Sequence, residues 1–86
     1  MHTVEMLEHA LDLAVRLGYS VRQECFAGNG GGACQLKGRK ILFVDLDLDP
    51  AEQLDQVVTA LQQEPITPTF PISRELGELL KVRKIA

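Results

Sequence analysis

RKILFVDLDLDPAEQL, residues 39–54, joins an apolar run to a helix-start signal. The run Ile41–Val44 is apolar at every position, which is typical of a strand buried on both faces. Asp49 followed by Pro50 is an N-cap followed by the residue whose fixed backbone angle suits the first helical position. The stretch therefore predicts a buried strand that leads, through a few acidic residues, directly into a helix.

Two shorter strands are predicted before this stretch, and helices are predicted at both ends of the chain. Residues 20–27 alternate polar and apolar side chains, as strands do, and residues 33–37 follow a run of glycines. Connections this short predict an antiparallel meander, because a parallel pair needs a crossover of a dozen or more residues. The expected elements are a helix (4–17) capped by Thr3, three strands (20–27, 33–37 and 40–46), a helix (50–63) and a short helix capped by Ser73.

The expected fold class is therefore α+β: a helix, a three-stranded antiparallel meander, a helix, an extended proline-containing arm and a short C-terminal helix. Pro65, Pro68 and Pro71 keep the arm extended, because proline cannot continue a helix or donate a hydrogen bond to a strand. We expect a core domain, residues 1–64, and an arm with its helix, residues 65–86, which docks on the core or on a second subunit.

The composition argues against several classes of protein. With 86 residues, the chain has room for one hydrophobic core. Its formal net charge of −3 argues against bulk nucleic-acid binding, which needs clustered Lys and Arg. Its longest apolar run is far too short to span a membrane, and acidic residues interrupt the region where a signal peptide would be apolar. We therefore expect a cytoplasmic protein with reduced cysteines and with no membrane or nucleic-acid partner.

The most unusual segment is a glycine loop made of Gly28, Asn29, Gly30, Gly31 and Gly32. Successive backbone N–H groups in such a loop can bind an anion or form an oxyanion hole. Cys34 lies two residues further on and would then be the candidate catalytic nucleophile. The alternative is a flexible or bulged hairpin connection with an inert cysteine, because phosphate-binding glycine loops normally lead into a helix.

The relation between Cys25 and Cys34 depends on the register of the first predicted hairpin. If Ala27 pairs with Ala33, the two sulfur atoms point to opposite faces of the sheet. If Cys25 pairs directly with Cys34, the two are neighbours. Two cysteines at this spacing do not provide the four ligands of a structural zinc site.

Three aspartates alternate with leucines after the buried strand: Asp45, Asp47 and Asp49. Carboxylates at this spacing resemble the opening of a calcium loop and could bind Mg²⁺ or Ca²⁺. The chain then departs from a calcium loop, with Pro50 at the sixth position and Gln56 at the twelfth. Because Asp49 is assigned to the helix cap, Asp45 and Asp47 remain as metal candidates, with a solvated strand end as the alternative.

The order of the predicted elements over residues 3–63 resembles the minimal core of small bacterial zincin-like metallopeptidases. In that family the helix after the sheet carries His-Glu-x-x-His, whereas residues 50–63 contain no histidine. The resemblance therefore implies a similar shape without zinc peptidase chemistry, and no functional residue carries over. Residues 30–61 also resemble small uncharacterised bacterial proteins, which implies no activity.

These patterns contain no complete catalytic or metal-binding set, so no cofactor is expected. We expect a small non-catalytic domain that acts through self-association, as a homodimer, or through a protein partner. Apolar side chains of the arm and the last helix are the interface candidates: Phe70, Ile72, Leu76, Leu79 and Leu80. The alternative is an enzyme or small-ligand binder that uses the glycine loop and Cys34.

Overall fold

The computed structural model describes residues 2–28, 30–64 and 72–85, the last five of these as backbone only. Within these residues it has helices and one three-stranded sheet, which confirms the α+β class. In chain order the elements are α1 (Thr3–Arg16), β1 (Tyr19–Glu24), β2 (Gly32–Leu36), β3 (Arg39–Asp45), α2 (Pro50–Leu61) and α3 (Arg74–Ile85). The proline segment 65–71, which includes Phe70, lies outside the described residues.

The sheet is mixed rather than an antiparallel meander, because the last strand lies in the middle. Its order is β1-β3-β2. β3 pairs antiparallel with β2 and parallel with β1, and Glu24 lies opposite Asp45 where the two parallel strands end. The meander prediction was wrong because it assumed that each connection joins neighbouring strands. The path from β1 to β3 passes through β2, so it is long enough to join a parallel pair.

β2 and β3 form a hairpin with a two-residue turn. Lys37 and Gly38 both have positive φ, 51° and 79°, as a type I′ turn requires. Leu36 and Arg39 flank the turn and lie opposite each other, and the same register continues along the whole of β2. The second connection is therefore a tight hairpin, as the sequence predicts.

One face of the sheet, the inner face, is covered by α1 and α2. Leu42 and Val44 point from β3 to this face and are fully buried in the core that the sheet shares with the helices. Side chains alternate along a strand, so Ile41 and Phe43 point to the opposite side. Both are only partly buried, and neither belongs to that core. We call the surface formed by Cys34, Leu36, Ile41 and Phe43 the outer face.

The first two helices, α1 and α2, differ in whether they start as the sequence predicts. Asp49 Oδ1 accepts the N–H of Glu52 at 2.9 Å, and Pro50 is the first residue of α2. α1 already begins at Thr3, and the cap position is His2, which makes no side-chain cap hydrogen bond. The predicted Thr3 cap is therefore wrong, because Thr3 is itself helical.

α3 packs against α1 and α2. Leu76 is 1% exposed and Leu80 is 8% exposed, and both belong to the same core as the other two helices. Gln62, at the end of α2, donates a hydrogen bond from Nε2 to the carbonyl of Leu80 at 3.0 Å. Ile72 and Leu79 are partly buried against this core. The interface candidates of the last helix thus lie in or against the core of their own chain.

Candidate functional site

The glycine loop lies where the chain crosses the carboxyl end of β3. β1 and β2 are both edge strands, so residues 25–31 pass over the end of the strand between them. We call this segment the crossing loop; Asn29 within it is outside the described residues. β1 and β3 are parallel and both end here, at the kind of sheet edge where α/β proteins bind ligands. The crossing loop is therefore where a ligand site is expected.

The Asp45 carboxylate binds the crossing loop through backbone N–H groups. Its Oδ1 accepts from Phe26 and from Asp47, both at 2.9 Å, and its Oδ2 accepts from Gly28 at 2.6 Å. The side chain is fully buried at the end of β3. Burial raises the pKa of Asp45, but the three backbone donors outweigh it and hold the pKa below its usual value. The carboxylate is therefore ionised and occupies the position that a bound anion would take.

Asp47 binds the same loop. Its Oδ2 accepts the N–H of Ala27 at 2.7 Å, so the N–H groups of three successive loop residues, 26–28, all donate to carboxylates. The two metal candidates, Asp45 and Asp47, are therefore both hydrogen-bonded to the loop backbone. The described part of the chain has no group of three His, Cys, Asp or Glu side chains placed to hold a metal ion.

Gln56 of α2 is a residue that the sequence analysis missed. Its Oε1 accepts from the N–H of Asp45 at 3.2 Å, and its Nε2 donates to the carbonyl of Gly30 at 3.0 Å. One side-chain amide thus joins α2, the end of β3 and the crossing loop. No sequence signal marks it, because a glutamine on a helix is most often a solvated residue.

Two of the glycines fill closely packed positions. A Cβ atom on Gly30 would lie 2.6 Å from Cγ of Phe26, and one on Gly31 would overlap the amide of Gln56. Gly32 has open space at the same position. The glycine run is therefore explained by packing at Gly30 and Gly31 and by backbone conformation at Gly31 and Gly32, where φ is 109°.

The two cysteines lie at separate places on the sheet. Cys25 follows β1, beyond the Glu24–Asp45 pair, whereas Cys34 lies in β2 opposite Ile41. β3 separates the two strands, so the Cα atoms are at least two strand spacings, about 10 Å, apart, which is too far for a disulfide. Both registers considered for the first hairpin are wrong, because β1 and β2 do not pair.

The predicted nucleophile and the loop N–H groups lie apart. Both thiols are exposed. The negative charge of Asp47 is the main cause that raises the pKa of Cys25, and it lowers the thiolate fraction. Cys34 lies four residues along β3 from the N–H groups bound by Asp45, which is about 13 Å. Those N–H groups are therefore too far away to stabilise an oxyanion formed at Cys34.

A second ionisable cluster lies on the inner side, at the opposite end of the sheet. Lys40 Nζ donates to Glu64 Oε1 at 2.8 Å and lies 4.9 Å from the centroid of the Tyr19 ring. Hydrogen bonds from Lys40 and Tyr19 lower the pKa of Glu64. Burial, and then the Glu64 carboxylate, raise the pKa of Tyr19 to about 12. The cluster ties the segment after α2 to β1 and β3, and its tyrosine is not activated as a base.

The pKa shifts of Asp45, Glu64 and Tyr19 predict that the free energy of unfolding falls at both low and high pH. The folded pKa values of Asp45 and Glu64 lie below their usual 3.8 and 4.5, so their contribution is complete above those values and is lost as the pH falls through the folded pKa. The Tyr19 pKa is raised from 10.0 to about 12, so its contribution is complete below pH 10 and is lost as the pH rises toward 12. The pKa of Cys25 is also raised above its usual 9.0, so melting temperatures should form a plateau between about pH 5 and about pH 9.

The variant Tyr19→Phe checks the alkaline limb of this profile. It removes the ionisable hydroxyl, so the loss of stability above pH 10 should flatten. The acid limb should become slightly shallower, because the Tyr19 hydroxyl also helps to lower the pKa of Glu64. An alkaline limb that is the same in the wild type and in Tyr19→Phe would contradict the prediction.

Within the described residues, β2 is an edge strand without the features that usually protect an edge. Its residues 32–36 carry no charge and no proline, and residues 33–36 are all exposed. Leu36, on the outer face, is 57% exposed. The other edge strand, β1, carries Arg22 and Glu24, which form an ion pair at 3.9 Å. β2 is therefore the unprotected edge of the described sheet.

The hairpin turn determines which backbone groups of β2 point away from the sheet. Leu36 and Arg39 flank a two-residue turn and form a hydrogen-bonded pair, and such pairs alternate with non-hydrogen-bonded pairs along an antiparallel ladder. Residues 32, 34 and 36 therefore direct their N–H and C=O groups to β3. Ala33 and Gln35 direct theirs outward, along the edge of the sheet.

Comparison of the chain with protein-family models, with curated protein sequences and with solved structures found no match. The resemblance to a zincin-like layout therefore stays a prediction from the sequence. None of the described helices is long and apolar enough to cross a lipid bilayer.

Proposed function

We propose that the protein is a non-catalytic domain that acts by self-association, through antiparallel pairing of β2 with β2 of a second copy. The observation that carries the proposal is an exposed, uncharged edge strand in which Ala33 and Gln35 direct backbone groups outward. An edge of this kind pairs with another strand unless charge, proline or a covering element prevents it. A two-fold dimer uses the same edge in both copies.

The register of the β2–β2 pair follows if every residue of β2 is to be paired. With Cys34 next to the two-fold axis, all five residues of β2 are paired, and Ala33 of each copy faces Gln35 of the other. Each of these pairs exchanges two backbone hydrogen bonds. If the two-fold axis lay at residue 33 or 35, part of each strand would have no partner. If it lay between two residues, the outward N–H and C=O groups of one strand would face residues whose groups point to β3, and no hydrogen bonds would form.

The same register places the exposed Leu36 of one copy over an open position on the other copy. Leu36 of one copy lies opposite Gly32 of the other, on the same side of the joined sheet. A Cβ on Gly32 would meet open space, and the residue paired with Gly32 on β3 is the partly buried Phe43. Leu36 can therefore pack over Gly32 onto Phe43, which removes apolar surface of both side chains from water.

The charges at the two ends of the edge also favour a second copy. Lys37 and Arg39 are exposed at the turn, and Asp47 and Asp49 are exposed at the other end, beside the crossing loop. In an antiparallel pair of β2 strands, the basic end of one copy lies next to the acidic end of the other. Charge complementarity of this kind orients partners and speeds association.

The contact is small, which limits its strength. One five-residue strand in each copy buries far less than the roughly 1,200–2,000 Å² of a stable interface. We therefore expect weak association, with a dissociation constant in the micromolar range. In the reducing cytoplasm predicted from the sequence, the dimer would depend on backbone hydrogen bonds and packing.

The alternative, an enzyme or small-ligand binder built on the crossing loop and Cys34, has less support. The N–H groups of residues 26–28 donate to Asp45 and Asp47. A ligand would have to displace a buried carboxylate that belongs to the chain. A small molecule retained by the purified protein in native mass spectrometry would favour this alternative.

Sedimentation velocity of the full chain from about 5 to about 500 µM tests the proposal, since a dimer grows with concentration by mass action. Gln35→Lys adds a charge to the pairing edge and should raise the dissociation constant at least about tenfold. Gln23→Lys, the same exchange at an exposed position of β1, should leave it unchanged. Gln35→Pro removes an outward N–H group and should abolish association while the pairing with β3 is kept.

Circular dichroism and melting temperatures of each variant show whether the fold is kept. A wild-type protein that stays monomeric over the whole range would refute the proposal. Equal weakening by Gln23→Lys and Gln35→Lys would refute it as well, because the effect would then come from added charge and not from the β2 edge.

A further inference from the structure

We infer that Cys34 is a redox modification site at which two copies of the chain become joined by a disulfide. The inference rests on the proposed function, because it uses the same pairing of β2 with β2. Beyond the proposed function, the inference names a small disulfide as the co-reactant and a covalent form of the dimer as the product. The support is the position of Cys34 in β2, its exposure and the hydrogen-bonding pattern of the edge.

The register places Cys34 of one copy directly opposite Cys34 of the other. They form a non-hydrogen-bonded pair, because the outward backbone groups belong to Ala33 and Gln35. Cα atoms in such a pair lie about 4.5 Å apart, with close side chains, and a disulfide needs a separation of about 4.4–6.8 Å. A two-fold axis perpendicular to the sheet keeps both side chains on the outer face. The two sulfur atoms can therefore bond without a change of the pairing.

The reaction is thiol–disulfide exchange with a low-molecular-weight disulfide such as oxidised glutathione. The Cys34 thiolate of one copy attacks the small disulfide, forms a mixed disulfide and releases one small thiolate. The Cys34 thiolate of the second copy then attacks the protein sulfur of the mixed disulfide and releases the second small thiolate. The two protein thiols lose two electrons, and the small disulfide gains them. The two thiol protons pass to the released thiolates.

Cys25 is the matched control within the chain. It is also exposed, but it follows β1, on the far side of β3 from the pairing edge. Asp47 raises the pKa of Cys25, and a smaller thiolate fraction slows attack on a disulfide. Strand pairing involves Cys34 alone, and Gln35→Pro, which keeps both thiols, separates pairing from the difference in thiol reactivity.

The test incubates the full chain with oxidised glutathione and follows it by non-reducing electrophoresis and intact mass. A covalent dimer should form in the wild type and in Cys25→Ser, should be absent in Cys34→Ser and should be reversed by dithiothreitol. In Gln35→Pro, which keeps both thiols, it should form at least about tenfold more slowly, and the mixed disulfide should accumulate, because the second thiol is no longer held close.

Sedimentation of the reduced Cys25→Ser variant separates the two possible failures. If that variant sediments as a dimer but forms no covalent dimer, the disulfide inference is overturned and the β2 pairing stands. If it sediments as a monomer and only the mixed disulfide forms, both are overturned. Equal rates of covalent dimer formation in Cys25→Ser and in Gln35→Pro would indicate random collision and would also overturn the inference.

Discussion

Asp45→Asn is expected to destabilise the protein strongly, although the exchange is isosteric. The two carboxylate oxygens accept backbone N–H groups of Phe26, Gly28 and Asp47. In asparagine one oxygen becomes an amide NH₂ group, so at least one buried donor would face another donor, and the remaining bonds would lose their assistance by charge. We expect the melting temperature to fall by roughly 10 °C or more.

Asp47→Asn is the matched control for this exchange. Asp47 is exposed, and its side chain accepts the N–H of Ala27 and a hydrogen bond from the Cys25 thiol, with no buried backbone donor among its partners. Its replacement should lower the melting temperature by only a few degrees, roughly 5 °C or less. Limited proteolysis should cleave the crossing loop faster in Asp45→Asn than in Asp47→Asn. Similar losses in the two variants would show that burial of the Asp45 carboxylate does not organise the loop.

The second large effect is expected for Gly31→Ala, measured against Gly32→Ala. Both glycines have φ of 109°, so an alanine at either position carries a similar backbone strain of about 1–3 kcal/mol. A Cβ meets open space at Gly32 but overlaps the side-chain amide of Gln56 at Gly31. Gly31→Ala should therefore cost about 1–2 kcal/mol more than Gly32→Ala, because Gln56 must give up its hydrogen bonds or the loop must move. Urea unfolding measures both.

A double-mutant cycle identifies Gln56 as the group that meets the new methyl. If the amide of Gln56 is the obstacle, Gly31→Ala together with Gln56→Ala should destabilise the protein by less than the sum of the single exchanges. If the free-energy losses of the two single exchanges add up in the double variant, the packing explanation is contradicted. Backbone strain would then be the only reason for glycine at position 31.

Local signals in the sequence predicted local structure well. Asp49 and Pro50 mark the start of α2 through interactions within one helical turn, and the cap forms as expected. The strand order could not be predicted in the same way. It depends on where residues 25–31 lead the chain, and a glycine-rich segment is compatible with a hairpin as well as with a crossing over β3. No residue pattern within β1 or β2 predicts that β3 lies between them.

For the candidate site, the sequence indicated a glycine loop but not the groups that its surroundings provide. The glycine run, residues 28–32, predicted backbone N–H groups able to bind an anion, whereas the N–H groups that donate to carboxylates are those of residues 26–28, of which only Gly28 belongs to the run. The sequence could not show that these carboxylates belong to Asp45 and Asp47, about twenty residues away. The role of Gln56 could not be predicted from the sequence either, because its two hydrogen-bond partners lie on separate segments that only the folded chain brings together.

Synthesis on the ribosome releases β1 and β2 before β3, the strand with which both of them pair. Until residues 39–45 have emerged, neither early strand has its native neighbour. The crossing loop also lacks the Asp45 carboxylate to which its N–H groups donate. The sheet therefore cannot form before residues 39–45 are available, and a nascent chain that stalls before Arg39 leaves the uncharged segment 32–36 without its native partner and open to capture by chaperones or by other chains.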